Sequence, residues 1–441
     1  MQYLNEIKNK HITVLGLGVT GLGIVRFLLS QNISPRVVDS RQQPPGADWL
    51  SEHARDLTTH FGDLDNAQLS SNDIIIISPG LSLATPAVAN AIDAGVEVIG
   101  DVELFARLTN KPIVAVTGSN GKSTVVTLAF EVLKAAGYKV GLGGNIGTAV
   151  LDLLSQDCDV YVLELSSFQL DTTHSLKAKS ACVLNVSEDH LDRYSSYQAY
   201  IDSKQSIYNG SELAVVNAID VATHTAKQPQ VSFALAHADY ALIEHQGEQY
   251  FAAHGKPVLP ASSLKVVGSH NQQNALAVMA LLSPFDITAA HYEQAFGAFT
   301  GLAHRCQFVA EIKGVKYFND SKATNVGATI AAIESLADQA KQLVVIAGGD
   351  AKGADLDALK PYLSSKVKAL VCFGKDAKAL VALSEKGHLT TSMHEAVQLA
   401  KNLSVNGDIV LLAPACASID MYNNYMQRGD DFTQCVLAEA V

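Results

Sequence analysis

Two strand–glycine-turn–helix openings, about 100 residues apart, constrain this chain more than any other feature. The first is His11-Ile-Thr-Val-Leu running into Gly16-Leu-Gly18-Val-Thr-Gly21, a GxGxxG match. An amphipathic helix is predicted from Thr20 to Gln31, and a second strand ends in Val37-Val38-Asp39. The second opening, Lys111-Pro-Ile-Val-Ala-Val-Thr-Gly118, meets another glycine turn and another helical pattern. Glycines at such turns let the backbone approach a phosphate, and the following helix N-terminus favours negative charge. Short β-branched runs such as Asp73–Gly80 alternate with helices, so the sheets should be parallel and covered on both faces.

The rest of the chain repeats the pattern. Strands are predicted at Val160–Glu164, Ala181–Val186, Leu343–Ala347, Ala369–Phe373 and Ile409–Leu412. Residues 210–260 read as a less regular, strand-rich insertion, and a third α/β pattern begins near Val315. With 441 residues the chain is too long for one ordinary core. The expected fold is α/β in three domains: a Rossmann-like N-terminal domain (1–100), a P-loop-type central domain (101–304) and a Rossmann-like C-terminal domain (305–441).

Composition excludes several function classes. A net charge of −12 without a Lys/Arg-rich run argues against nucleic acid as partner. The longest apolar runs are strand-sized, so no membrane insertion is expected. Residues 1–11 carry Glu6, Lys8, Lys10 and His11 rather than an apolar leader. The six cysteines include no CxxC pair, which suits a reducing, cytoplasmic setting.

The motifs follow the predicted strands. Gly16–Gly21 with Asp39 fits dinucleotide binding, in which the acidic residue bonds a sugar hydroxyl, but it also fits a tight turn with no ligand. Thr117–Thr124 (TGSNGKST) departs from GxxxxGK[ST] because Val116 stands at the first position. Its chemistry is intact: N–H groups from Gly118, Ser119, Asn120 and Gly121, a cation at Lys122, and hydroxyls at Ser123 and Thr124 that reach Mg²⁺. Glu164 ends a strand, where a carboxylate can bind Mg²⁺ or simply be solvated. Asp189, His190 and Asp192 could bind metal or move protons, and spacing alone does not decide. Lys204 lies on a predicted helix and by itself reads as a surface lysine. Asp320 with Lys322, and Lys352 with its flanking aspartates, suit an acidic substrate or ordinary turn chemistry, as does Pro414–Asp420.

In order and spacing, GLGVTGLG, TGSNGKST, GGNIG, EDHLDRY, HR, NDSKATN, GGDAKGAD and PACASID resemble the Mur ligase family over essentially the whole chain. The family pattern TGxNGKST accounts for Val116. Within the family the segments look most like those of a member that adds D-glutamate to UDP-N-acetylmuramoyl-L-alanine. That resemblance implies a UDP group, rather than NAD, on the first domain, contacted by Gly18, Thr20, Asp39, Ser40, Arg41 and Gly80. It implies ATP on Gly118–Thr124, with Asn271 and its neighbour His270 near the adenine. His304, Arg305, Asp320 and Lys322 would meet nucleotide or substrate when the C-terminal domain closes. Asn145 would contact the precursor, and Thr324, Lys352, Ser418, Ile419 and Tyr425 the D-glutamate. Two Mg²⁺ ions are implied, one on Ser123, Thr124 and Glu164 and one on His190 and a carbamylated Lys204. The resemblance further implies a catalytic set of Lys122, Asn145, His190 and Lys204, acting through an acyl phosphate in a monomer. An NAD-dependent oxidoreductase, another Mur-type or folate-type amide ligase, and a non-catalytic nucleotide-binding regulator are the competing readings. The first leaves Lys122 and Glu164 without work. The phosphate loop does not separate the second, though NDSKATN and GGDAKGAD favour D-glutamate addition. The third has no need of Glu164, His190 and Lys204.

Overall fold

The computed structural model describes residues 2–189, 193–266, 268–337 and 339–439. Its strands form three sheets. Contacts divide the chain into two compact units. One comprises Met1–Val186, Ser196–Ala261 and Ala275–Phe296, and the other Ser187–Ser195, Ser262–Asn274 and Gly297–Val441.

The first unit holds two sheets. In the N-terminal one, Thr59–Phe61, Arg36–Asp39, Ile12–Leu15, Ile74–Ile77 and Glu97–Ile99 lie side by side in that order, all parallel. Ile12–Leu15 and Ile74–Ile77 are buried throughout, as strands covered on both faces must be. The strand order reverses between these two, so their carboxyl ends open a crevice bordered by Gly16–Gly18 and Ser78–Gly80. Gly21 is compulsory here: a Cβ would stand 1.7 Å from the Gly16 carbonyl oxygen.

The central sheet has nine strands. Val140–Gly144, Val160–Glu164, Ile113–Thr117, Ser180–Val183, Ala214–Asn217, Gln230–Phe233 and Tyr240–His245 run parallel in that order. Glu248–Ala253 and Lys256–Pro260 then fold back antiparallel. The 210–260 region is therefore strand-rich, as expected, but it continues this sheet rather than interrupting it. The strand expected at Ala181–Val186 ends at Val183, which frees Leu184 and Asn185 to line the phosphate loop.

The second unit carries a six-stranded sheet. Its order is Gln307–Ile312, Val315–Asn319, Ile409–Leu412, Leu343–Gly348, Val367–Phe373 and Gly387–Leu389. The first strand pairs antiparallel in a hairpin and the others are parallel. Apolar clusters cover both faces, one around Ile333, Val345 and Leu411 and one around Val344, Val410 and Phe432. The pattern expected from Val315 thus begins one strand earlier.

Candidate functional site

In the first unit the loop after Ile113–Thr117 leads into the helix Lys122–Ala135. Asn185 clamps that loop: its Oδ1 accepts from Asn120 N at 2.8 Å and its Nδ2 donates to Asn120 O at 3.1 Å. Ser119 N donates to the Asn185 carbonyl at 2.9 Å. Lys122 Nζ donates to the carbonyls of Gly118 (2.7 Å) and Ser119 (2.9 Å). Lys204, only 2% exposed, reaches the same Gly118 carbonyl at 3.0 Å from the helix Tyr197–Gln205. One carbonyl oxygen therefore gathers two lysine head groups. The Tyr200 ring lies 4.6 Å from Lys204 Nζ, and its hydroxyl is 3.3 Å from Ser119 Oγ. The lysine that reads from sequence as a surface residue is buried at the phosphate loop.

Glu164 organises the other side. It is 3% exposed, and its Oε2 accepts from Ser123 Oγ at 2.6 Å while Oε1 accepts from Asn145 Nδ2 at 2.8 Å. Asn145 N also donates to the Glu164 carbonyl at 2.7 Å. The approach depends on Gly144, where a Cβ would lie 2.2 Å from Glu164 O and where φ is +102°. Among the described residues no three of His, Cys, Asp and Glu converge as a metal cage. Mg²⁺ at phosphate sites takes one or two carboxylates and fills its shell with phosphate oxygens and water. A buried carboxylate beside a hydroxyl, at the mouth of a phosphate loop, fits that requirement. Thr124 is half-buried on the same helix turn. His190, expected as a second metal ligand, and Asp192 lie outside the described residues.

The N-terminal residues gather at the crevice of the first sheet. Asp39 is 1% exposed and spends its carboxylate on its neighbours. Oδ2 accepts from Leu17 N and Arg41 Nη2 at 2.6 Å each, and Oδ1 from Arg41 N and Nε at 2.8 Å each. Burial alone would raise this carboxyl, but the bonds from Arg41 and Leu17 outweigh it and hold it below its usual range. Asp39 thus fixes the half-exposed Arg41 fork. Thr20 opens the helix Val19–Ser30 behind Gly18, Ser40 is exposed beside Arg41, and Gly80 lies across the crevice.

In the second unit the residues collect at the carboxyl ends of three adjacent strands. Asp320 is 8% exposed. Burial pushes its carboxyl up to about 6, against the charge of Arg305 and the Cys306 amide, which pull it down. Lys322 Nζ stands 4.1 Å from the Tyr425 ring centroid, and the His304 ring meets the same tyrosine edge-on at 6.2 Å. Thr324 follows in the same loop, its N–H bonded to Lys322 O at 2.8 Å. Lys352 is exposed, at φ +52°. Its loop pairs with the Ser418 loop, since Asp350 and Ala417 exchange N–H···O bonds of 2.9 Å. Ser418 is buried, whereas Ile419 stands 64% exposed. Asn271 lies in the first turn of Ser269–Leu281, with its N–H bonded to Gly268 O. Burial lowers the neighbouring His270.

Sequence reasoning passed over Tyr200, Asn185 and Arg428. Tyr200 carried one usable signal, its i,i+4 spacing to Lys204. Asn185 and Arg428 act on partners far away in sequence and carried none.

Family models match all three α/β regions of the chain. Residues 10–100 match the Mur ligase MurD-like N-terminal domain, 116–282 the Mur ligase middle domain, and 304–416 the Mur ligase glutamate ligase domain. The chain belongs to the Mur ligase family, enzymes of ATP-dependent amide ligation in peptidoglycan precursor synthesis, and is itself a ligase. Among its relatives, the UDP-N-acetylmuramoylalanine–D-glutamate ligase of Pseudoalteromonas translucida is 71% identical, covering 100% of both chains. The protein of the same name from Shewanella violacea is 46% identical, covering 99% of this chain and 97% of that one. Of solved structures, the UDP-N-acetylmuramate-alanine ligase MurC of Thermotoga maritima shares the fold at a TM-score of 0.61. It is 18% identical and covers 98% of this chain and 100% of its own. MurF of Acinetobacter baumannii does so at 0.63, with 14% identity and 98% of each chain covered. Among the described residues no helix is long and apolar enough to cross a membrane.

Proposed function

We propose that this chain joins D-glutamate to UDP-N-acetylmuramoyl-L-alanine, consuming ATP and yielding ADP and phosphate, as a cytoplasmic monomer. The observation that carries this reading is 71% identity, over the full length of both chains, to a relative named for that reaction. The working division is 1–100 for the UDP-precursor, 101–304 for ATP and 305–441 for the amino acid.

The chemistry assigns each residue a task. The N–H groups of Gly118–Gly121 and the Lys122 ammonium hold the ATP phosphates, as expected of a glycine loop at a helix N-terminus. The precursor's terminal carboxylate takes the γ-phosphoryl group and ADP leaves. The D-glutamate amine then attacks the acyl carbon, loses a proton, and expels phosphate. Asn145, fixed by Glu164, orients the precursor. Ser123, Thr124 and Glu164 would hold one Mg²⁺, which would neutralise developing phosphate charge. His190, together with a carbamylated Lys204, would hold a second. Carbamylation of Lys204 would replace a buried ammonium beside Lys122 with an anion, removing a like-charge pair at Gly118 O. Gly18, Thr20, Arg41 (held by Asp39), Ser40 and Gly80 take the uridine diphosphate. Asn271, His304, Arg305, Asp320 and Lys322 serve the nucleotide and the reacting groups. Thr324, Lys352, Ser418, Ile419 and Tyr425 take D-glutamate.

Precursor labelled with ¹⁸O in its terminal carboxylate tests this. The reading expects one labelled oxygen in the released phosphate and a product heavier by one glutamate residue. Unlabelled phosphate, or the same mass gain from L-glutamate instead of D-glutamate, would overturn it.

A further inference from the structure

The buried cation of the second unit lies outside every motif. Arg428 belongs to the first turn of the helix Tyr425–Ala438 and is 0% exposed. Its Nε donates to Ser321 Oγ at 3.0 Å and Nη2 to Ser321 O at 2.8 Å. Nη1 donates to Gly348 O and to Cys416 O, each at 3.1 Å. These acceptors stand at or just beyond the carboxyl ends of Val315–Asn319, Leu343–Gly348 and Ile409–Leu412, which lie next to one another in the sheet. The same three loops bear Thr324, Lys352 and Ser418. The first turn grips the first loop twice more, because Ser321 Oγ donates to Tyr425 O at 2.8 Å and Asn319 Nδ2 to Gly429 O at 2.8 Å.

A buried charge is costly unless hydrogen bonds satisfy it, and here every bond from the guanidinium goes to one of the three strand-end loops. Burial lowers Arg428 only to about 10, with help from Asp420 against it, so the guanidinium stays charged at neutral pH. A planar fork can satisfy divergent carbonyls from one point, which an ammonium cannot. Carbonyls held by a cation direct their loops inward and fix the spacing of the side chains beyond them.

We propose that Arg428 is the positioning residue of the amino-acid site: it sets the three strand-end loops in register so that Thr324, Lys352 and Ser418 converge on the carboxylates of the incoming amino acid. This rests on the D-glutamate reading above for the identity of that amino acid. The assignment of Arg428 itself rests on the shared strand ends.

The test is steady-state kinetics of R428K and R428M, with melting temperatures, varying each of the three substrates. R428K keeps a cation but loses the fork. It should raise KM for D-glutamate roughly tenfold or more while KM for ATP stays within about twofold. R428M should be worse in the same direction. S321A removes the acceptor of Nε and the bond from Ser321 Oγ to Tyr425 O but leaves the other Arg428 contacts, and it should show a smaller rise, which keeps the test open if the Arg428 variants fail to fold. A folded R428K with an unchanged KM for D-glutamate would overturn the proposal. So would equal rises for all three substrates accompanied by a lower melting temperature, because that is the mark of a merely structural role. Wild type is run in parallel against a panel of amino acids. If it accepts a different one, the D-glutamate reading falls, and the KM of that amino acid becomes the readout for Arg428.

Discussion

Replacing Glu164 with glutamine separates charge from geometry at the phosphate loop. The carboxylate accepts from Ser123 Oγ and Asn145 Nδ2. A glutamine of the same shape can keep both contacts, with its Oε1 accepting from Asn145 and its Nε2 donating to Ser123 Oγ. The swap weakens two charge-assisted bonds by about 1 kcal/mol each. It recovers a similar amount because a buried anion is no longer desolvated. Stability should therefore move by less than about 2 kcal/mol. The anion itself is lost, and with it the proposed Mg²⁺ ligand, so turnover should fall by roughly a hundredfold or more. Half-saturating Mg²⁺ should rise about tenfold or more. Glu164→Ala would instead strand both donors at about 1–3 kcal/mol each and lower the melting temperature as well. The assay is phosphate release as a function of Mg²⁺, alongside thermal denaturation. A stable E164Q with near-normal turnover and an unshifted Mg²⁺ dependence would refute the metal role and leave Glu164 as a structural clamp.

Three other expectations concern separate parts of the chain. Lys204→Ala should fold, since Lys122 still engages Gly118 O, but should lose most turnover and regain part of it with added short carboxylates; no rescue in a folded variant would count against carbamylation. Asp101 is 4% exposed with no partner for Oδ1, and burial raises it from 3.8 to about 6. A carboxyl raised on folding adds stability below pH 4 and loses it as pH rises toward 6. Asp101→Asn should therefore gain on wild type across that window, by up to roughly 3 kcal/mol at pH 7; a gap constant from pH 4 to 7 in denaturant titrations would contradict this. Arg107 joins Tyr3, Glu97 and the fully buried Glu103 at 2.6–2.7 Å. Arg107→Met should cost about 2–4 kcal/mol by leaving Glu103 part-paired, and an unchanged denaturation midpoint would show the network to be dispensable.

What the sequence disclosed follows from how local each feature is. The turns at Gly16–Gly21 and Thr117–Thr124 were legible because glycine spacing, strand and helix adjoin in the chain. Ile409–Leu412 and Val160–Glu164 were legible as buried β-branched runs. Val140–Gly144 was missed because its glycines mimic a turn, although only glycine at 144 allows Asn145 to approach Glu164. Glu97–Ile99 and Gly387–Leu389 are too short to show a period. The candidate site was legible as separate motifs, but its joints were not. Lys204 reads as a surface lysine until its helix folds against Gly118, 86 residues away, and Arg428 bonds Ser321 across 107 residues. Such contacts depend on sheet order, which spacing does not encode.

The central claim is most directly tested by phosphate release from ATP and Mg²⁺ with UDP-N-acetylmuramoyl-L-alanine and D-glutamate, omitting each component in turn. The account predicts release only when all are present, matched one to one by product carrying an added glutamate. Release from ATP alone, or undiminished release when D-glutamate is replaced by another amino acid, would contradict it.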